Sequence, residues 1–227
     1  MLKWCVSFIM IVFLASCNVE PDKASIDPEI VDERLEEGKN EEPQVEENPV
    51  ADDRNIADYF PKENIIKHFK GVGNEYASEV ETIFQREEEF LPTYVNNGGT
   101  QLLVIYQLSN EGIYTVYKQE EYYEETPPSI DKVQGSFQKE EVLISPLEKG
   151  RMINDWEIVG INETLSLPYG TLDEIIILEK TYEDGSKSRN YWAKDLGLVK
   201  KEYYFKGEDD LELIVTTELE KVERITK

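Results

Sequence analysis

The chain has 227 residues, with 48 acidic against 24 basic side chains, a formal charge of −24, one histidine and two cysteines. Charge this negative argues against nucleic acid and anionic lipid headgroups as partners, since both are themselves negative. So few histidines and cysteines leave no ligand set for zinc and no disulfide framework, so stability must come from an apolar core in one domain of ordinary size.

Met1-Leu2-Lys3 is a short basic start, and residues 4–15 (WCVSFIMIVFLA) are apolar except for Ser7. Twelve residues suit the apolar region of a signal peptide and fall short of the roughly 20 that span a bilayer as a helix. Leu14-Ala15-Ser16-Cys17 follows. It resembles the lipobox of bacterial lipoprotein precursors, with Leu14, Ala15 and Ser16 as the signal-peptidase recognition residues. The resemblance implies a diacylglyceryl group on the Cys17 thiol, cleavage between Ser16 and Cys17, and a chain anchored on the outer face of a cell membrane. Residues 1–16 are then the signal peptide.

Residues 17–54 read as a lipidated cysteine followed by a disordered acidic tether. Residues 18–53 hold fourteen acids against three bases, four prolines and no aromatic residue. Such a stretch cannot bury enough apolar surface to offset its chain entropy, and its charges repel. Fully extended it reaches about 120 Å. Asp27-Pro28 can start a short helix that Gly38 ends, though a free helix of that length is marginal in water.

From residue 55 to 227 the composition becomes that of a β-rich extracytoplasmic domain. Strands are expected over 65–71, 75–86, 101–108, 113–121, 140–144, 152–161, 163–167, 173–182, 187–193, 198–206 and 211–221, separated by turn residues such as Asn96-Asn97-Gly98-Gly99, Asn110-Glu111-Gly112 and Asp184-Gly185. Residues 77–90 are ambiguous, because Ala77, Val80 and Phe84 also suit one face of a helix. Connections this short predict a mainly β fold, a single antiparallel meander or half-barrel, rather than parallel βαβ units. Leu102–Tyr106 and Ile175–Leu178 are apolar on both faces and need cover on each side. With few convincing helices in the chain, that cover is either an apolar groove with its ligand, or another copy or protein.

Several phrases occur together: Tyr59-Phe60-Pro61, Gly73-Asn74-Glu75-Tyr76-Ala77, Asn96-Asn97-Gly98-Gly99-Thr100, Pro168-Tyr169-Gly170-Thr171 and Tyr191-Trp192-Ala193-Lys194-Asp195-Leu196-Gly197-Leu198-Val199-Lys200. This pattern resembles a group of lipoproteins from Gram-positive, spore-forming bacteria, over about residues 58–206. The latter part is also similar to the half-barrel domains of the LolA/LolB lipoprotein carriers. The resemblance implies a fold and an address, and it carries no reaction. Each phrase also has a structural explanation, with Gly170 and Gly197 serving hairpin turns.

Catalytic signatures are sparse. His68 would have to centre any histidine triad, and no Gly-x-Ser-x-Gly elbow accompanies it. A strand-surface role is the simpler reading. Asp and Glu are too abundant for any pair to be nominated as glycosidase carboxylates, and Glu208-Asp209-Asp210 lacks the spaced acidic loop of a calcium site. Tyr122-Tyr123, Tyr191-Trp192 and Tyr203-Tyr204-Phe205 suit stacking on sugars, but neighbours on a strand point to opposite faces and divide each cluster. No cofactor is expected. Two functional classes stay open: a non-catalytic binding module for a lipid, glycan or protein partner, and an envelope-polymer hydrolase using carboxylates.

Overall fold

The structure, a computed structural model, describes residues 55–61, 64–207 and 211–225. The signal peptide, Leu14, Ala15, Ser16, Cys17, the tether and Glu208-Asp209-Asp210 lie outside the described residues.

Twelve strands follow in order: β1 (Ile65–Val72), β2 (Glu79–Ile83), β3 (Phe90–Asn96), β4 (Gln101–Leu108), β5 (Gly112–Gln119), β6 (Glu140–Ile144), β7 (Met152–Ile153), β8 (Trp156–Leu167), β9 (Gly170–Thr181), β10 (Lys187–Ala193), β11 (Gly197–Lys206) and β12 (Glu212–Arg224). They form one antiparallel sheet in the order β6-β5-β4-β3-β2-β1-β12-β11-β10-β9-β8-β7. Apart from β6 and β7, each strand pairs with its sequence neighbour, and β12 returns to β1. The expected meander is therefore present, curled into a nearly closed barrel whose opening falls in the middle of the chain. Bulges at His68/Phe69, Ile105/Tyr106, Ile113/Tyr114 and Tyr191/Trp192 bend the strands. The two edge strands are short, which limits unwanted pairing. Asn154, at positive φ in the turn after β7, donates from Nδ2 to the Glu141 carbonyl of β6 at 2.9 Å across the seam.

Three expectations are corrected. Residues 75–86 contain only the five-residue β2, because the chain leaves the ladder on both sides of it. The span 152–161 plus 163–167 is a tight turn between β7 and one long β8, which absorbs the break at Asn162 (φ 59°) as an irregularity. Strand β3 was not among the expected strands, and it carries Pro92, a residue unusual in a central strand. The Pro92 carbonyl accepts from Phe84 N–H at 3.0 Å, so the proline's missing donor lies on the β2 side, just beyond the last β2–β3 pair, Ile83↔Thr93.

One core fills part of the barrel interior with Ile65, Ile83, Leu108, Ile113, Leu143, Ile158, Ile176 and Trp192. A 3-10 turn, Ile56–Tyr59, crosses that end of the barrel: Ile56 N–H donates to Asn110 O and Asp195 N–H to Asp58 O. It contributes Ile56, Tyr59 and Phe60 to the same core. The Asp195–Gly197 turn that receives it has Asp195 and Gly197 at φ 61° and 73°, a region a glycine enters without steric cost.

The two doubly apolar strands find their cover within the chain. The outer residues Leu103 and Ile105 pack under Ile130, Val133 and Phe137 of the β5–β6 connection, which carries the short helix α1 (Ile130–Val133). On the far side Ile175 and Ile177 lie with Tyr191, Ala193 and Val199 under Leu165, Leu167 and Leu172 from the outer ends of β8 and β9. Tyr169, between those strands, ties the arrangement down through its backbone N–H, which donates to Leu219 O at 3.1 Å. Neither outer face needs a second copy to cover it.

Candidate functional site

Along several strands the residues facing the lumen change character in the same direction. In β2 they run Ile83, Glu81, Glu79; in β9 Ile176, Leu178, Lys180; in β10 Trp192, Asn190, Ser188; in β5 Ile113, Thr115, Lys118. The apolar ends build the plugged core. The polar ends line a cavity of about 450 Å³ in the rest of the lumen, a volume within the range of small-ligand sites.

Leu102, Val104, Tyr106, Trp156, Leu178 and Trp192 supply its apolar and aromatic wall. Charged pairs stand around them. Lys201 Nζ meets Glu79 Oε1 at 2.5 Å, Lys118 meets Glu140 at 2.8 Å, and Lys180 meets Asp155 at 2.9 Å. Deeper in, Lys67 pairs with Glu81 and donates to the carbonyls of Leu196 (3.0 Å) and Leu198 (2.8 Å). Those three contacts use all the donors of the ammonium, and Lys67 is 1% exposed. Burial, then the charges of Glu81, Glu79 and Glu140, push the Tyr106 phenol well above its ordinary pKa, so it presents a neutral hydroxyl. The hydrogen bond that Lys180 donates to the Asp155 carboxylate raises the lysine's pKa, and it stays a cation.

Two polar groups at the wall have no hydrogen-bond partner among the described residues. The Trp192 indole N–H is buried without an acceptor, and among the described residues no hydrogen bond engages the Asn190 side-chain amide. Buried polar groups are normally satisfied, so the Trp192 N–H is an exception that calls for an explanation, while the half-buried Asn190 amide stays open to a ligand or solvent.

His68 stands on β1 away from the cavity, with Nε2 3.3 Å from Glu223 Oε1, as a surface histidine. The aromatic clusters divide as strand geometry requires. Trp192 faces the lumen, while Tyr191 donates outward to Glu202 Oε2 at 2.5 Å. Among the described residues no group of three or more His, Cys, Asp or Glu gathers as a metal site. Of the cavity's lining, Leu102, Val104, Tyr106 and Leu178 fall in the two doubly apolar runs and Trp192 in an aromatic cluster singled out from the sequence, whereas its charged residues and Asn190 were not nominated. Their signal was the polarity gradient along each inward stripe, which becomes legible only once inward and outward positions are known.

The fold and site together define an antiparallel β-barrel with a polar-mouthed internal cavity. No family model matches the chain, and no curated protein does. Among solved structures it is similar to a candidate lipoprotein of Parabacteroides distasonis, with 15% identity, a TM-score of 0.43, and coverage of 74% of this chain and 99% of that one. It is also similar to a candidate exported protein with a YmcC-like fold from Bacteroides fragilis, with 11% identity, a TM-score of 0.44, and coverage of 73% and 98%.

Proposed function

We propose that the protein is an extracytoplasmic lipoprotein, anchored through Cys17, whose barrel is a non-catalytic binding module with a neutral glycan in its lumen cavity. The anchor reading rests on Leu14-Ala15-Ser16-Cys17 and on the resemblance to spore-former lipoproteins. The binding reading rests on one observation: aromatic faces, ion pairs and the unengaged Asn190 amide share a single cavity.

An acyl chain would lie against the three hydrated ion pairs, Lys201–Glu79, Lys118–Glu140 and Lys180–Asp155, and strip water from them without replacing its hydrogen bonds, which is costly. A sugar presents C–H faces to Trp156 and Tyr106 and hydroxyls to Asn190 and the paired charges. The cavity's acids outnumber its lysines, which favours an uncharged ligand over an anionic one. Four of the carboxylates each sit on a lysine, whereas glycoside hydrolysis uses one carboxyl in surroundings that favour its proton. Those lysines support binding over hydrolysis.

The test is calorimetric titration of the full-length protein in phospholipid nanodiscs with neutral glucan, mannan and N-acetylglucosamine oligosaccharides. Binding of one series, weakened at least tenfold by Asn190→Leu, is expected. Binding of a fatty acid with no response to any oligosaccharide would overturn the reading.

A further inference from the structure

The lumen does not end at the barrel mouth. Strand β12 runs on past its last pair with β1, Val72↔Thr216, and stays paired with β11 as far as Lys206↔Glu212. The β11–β12 hairpin therefore projects beyond the mouth as a one-sided wall. Lys201 lines the cavity, and the unbroken register that follows puts Tyr203 and Phe205 on the same face, opposite Val215 and Leu213.

That face is aromatic and open. The Tyr203 and Phe205 rings stack at 5.4 Å and 19°, and Tyr182 meets Tyr203 edge-on at 6.2 Å. Tyr203 and Tyr182 are each 38% exposed, and Leu213 is 45% exposed. Hydrogen bonds hold the rings in place: Tyr203 OH donates to Ser186 Oγ at 3.2 Å, and Tyr182 OH lies 3.1 Å from Ser188 Oγ. Fixed rings lose little freedom when a ligand lands on them. A second depression, of about 290 Å³, lies beneath Tyr182 and Tyr203 and shares Trp156, Asn190 and Lys201 with the lumen cavity. The two are consecutive stretches of one trough.

We propose that the ligand is an extended glycan chain, with one end in the lumen and further sugar units laid over Tyr203 and Phe205 on the projecting hairpin. The inference rests on the glycan reading of the lumen and adds chain length to it. A chain of rings is the occupant that uses both halves. The inner half offers hydrogen bonds and aromatic wall in a confined space, and the outer half offers exposed ring faces in line with its exit.

The experiment compares oligosaccharides of two to eight units from one neutral series, titrated into the full-length protein in nanodiscs. Affinity is expected to rise at least tenfold from the dimer to the hexamer. Tyr203→Ala with Phe205→Ala should abolish that rise, while Tyr203→Phe, which keeps the ring and gives up only its hydroxyl, should retain it. Thermal melts of each variant check that the exposed substitutions leave the fold intact. Dimer and hexamer binding equally would overturn the extended-chain proposal and leave the lumen reading standing, as would a rise that survives loss of both rings. No binding at any length in any series would bring down the lumen reading itself, and this proposal with it.

Discussion

Lys67 and Glu81 lie directly opposite one another on β1 and β2, and their side chains pair inside the barrel. The pair is nearly solvent-free, at 2% and 9% side-chain exposure. Its Coulomb attraction works against a large desolvation cost, so the pair itself is weak evidence for stability, whereas breaking it leaves an uncompensated buried charge. Lys67→Met should therefore destabilise the fold by about 3–5 kcal/mol. Combining it with Glu81→Leu should recover most of that loss. Urea denaturation of the two single variants and the double variant measures the coupling; a double variant as unstable as Lys67→Met would show that packing, not charge, sets the cost.

Stability should also fall with acid, and Glu202 is one reason. Burial pushes this carboxyl up, but hydrogen bonds from Lys200, Tyr191 and Tyr204 outweigh burial and hold it below the usual glutamate range. Glu179 follows the same pattern, with Lys187 and Arg189 overcoming burial. A carboxyl whose folded pKa is depressed contributes its stability above the unfolded value, about 4.3, and loses it as pH falls through the lower folded value. The melting temperature should thus hold near neutrality and drop progressively below about pH 5. Glu202→Gln should cost about 2 kcal/mol at pH 7, the range for hydrogen bonds to a charged group, and flatten the acid limb. An acid limb of unchanged steepness in the variant would rule Glu202 out as its source.

How far the sequence spoke for this fold depended on which forces acted locally. β4, β6 and β10 lie where alternation and turn residues put them, because their boundaries are set by Asn-Gly, Pro and Asp-Gly segments next to them. β3 was missed, and its Pro92 is tolerated in an interior strand because it sits where the neighbouring β2 ladder ends. Cover for Leu103 and Ile105 escaped because α1 is a single turn with no periodicity of its own, held down by Ile130 and Phe137. The cavity was hidden for a different reason. Glu79, Glu81, Lys118, Lys180 and Lys201 read as ordinary solvated charges in a chain rich in them, and only barrel closure through β1 and β12 turns them inward.

The address is testable apart from the fold. Cys17→Ala should abolish labelling by a fatty-acid analogue, since the thiol is the acceptor that the Leu14-Ala15-Ser16-Cys17 motif implies. It should also leave a larger precursor, uncut after Ser16 and held by its apolar segment. Gel mobility and metabolic labelling read both effects at once. Equal label in the wild type and the variant would refute the anchor.

The cover over β3 to β5 should behave as a locally removable lid. Ile130 is 8% exposed and packs with Val133 and Phe137 against Leu103, Ile105 and Val116. The helix that carries it is four residues long, too short to persist once its anchor is lost. In Ile130→Asp the charge cannot stay in the apolar cluster, so the connection should lift away. Loss of one buried branched side chain costs about 2–5 kcal/mol, but the lid covers only the outer face and the lumen core keeps its own contacts. Opening is then local and sub-global rather than a general unfolding. Leu103 and Ile105, each 0% exposed in the intact protein, would become an apolar patch on the barrel wall. The expected result is strong fluorescence of a hydrophobic dye below the melting temperature, together with concentration-dependent dimers in sedimentation, neither of which the wild type shows to the same degree. A variant with wild-type dye response and unchanged sedimentation would mean that the outer face does not depend on Ile130 for its cover.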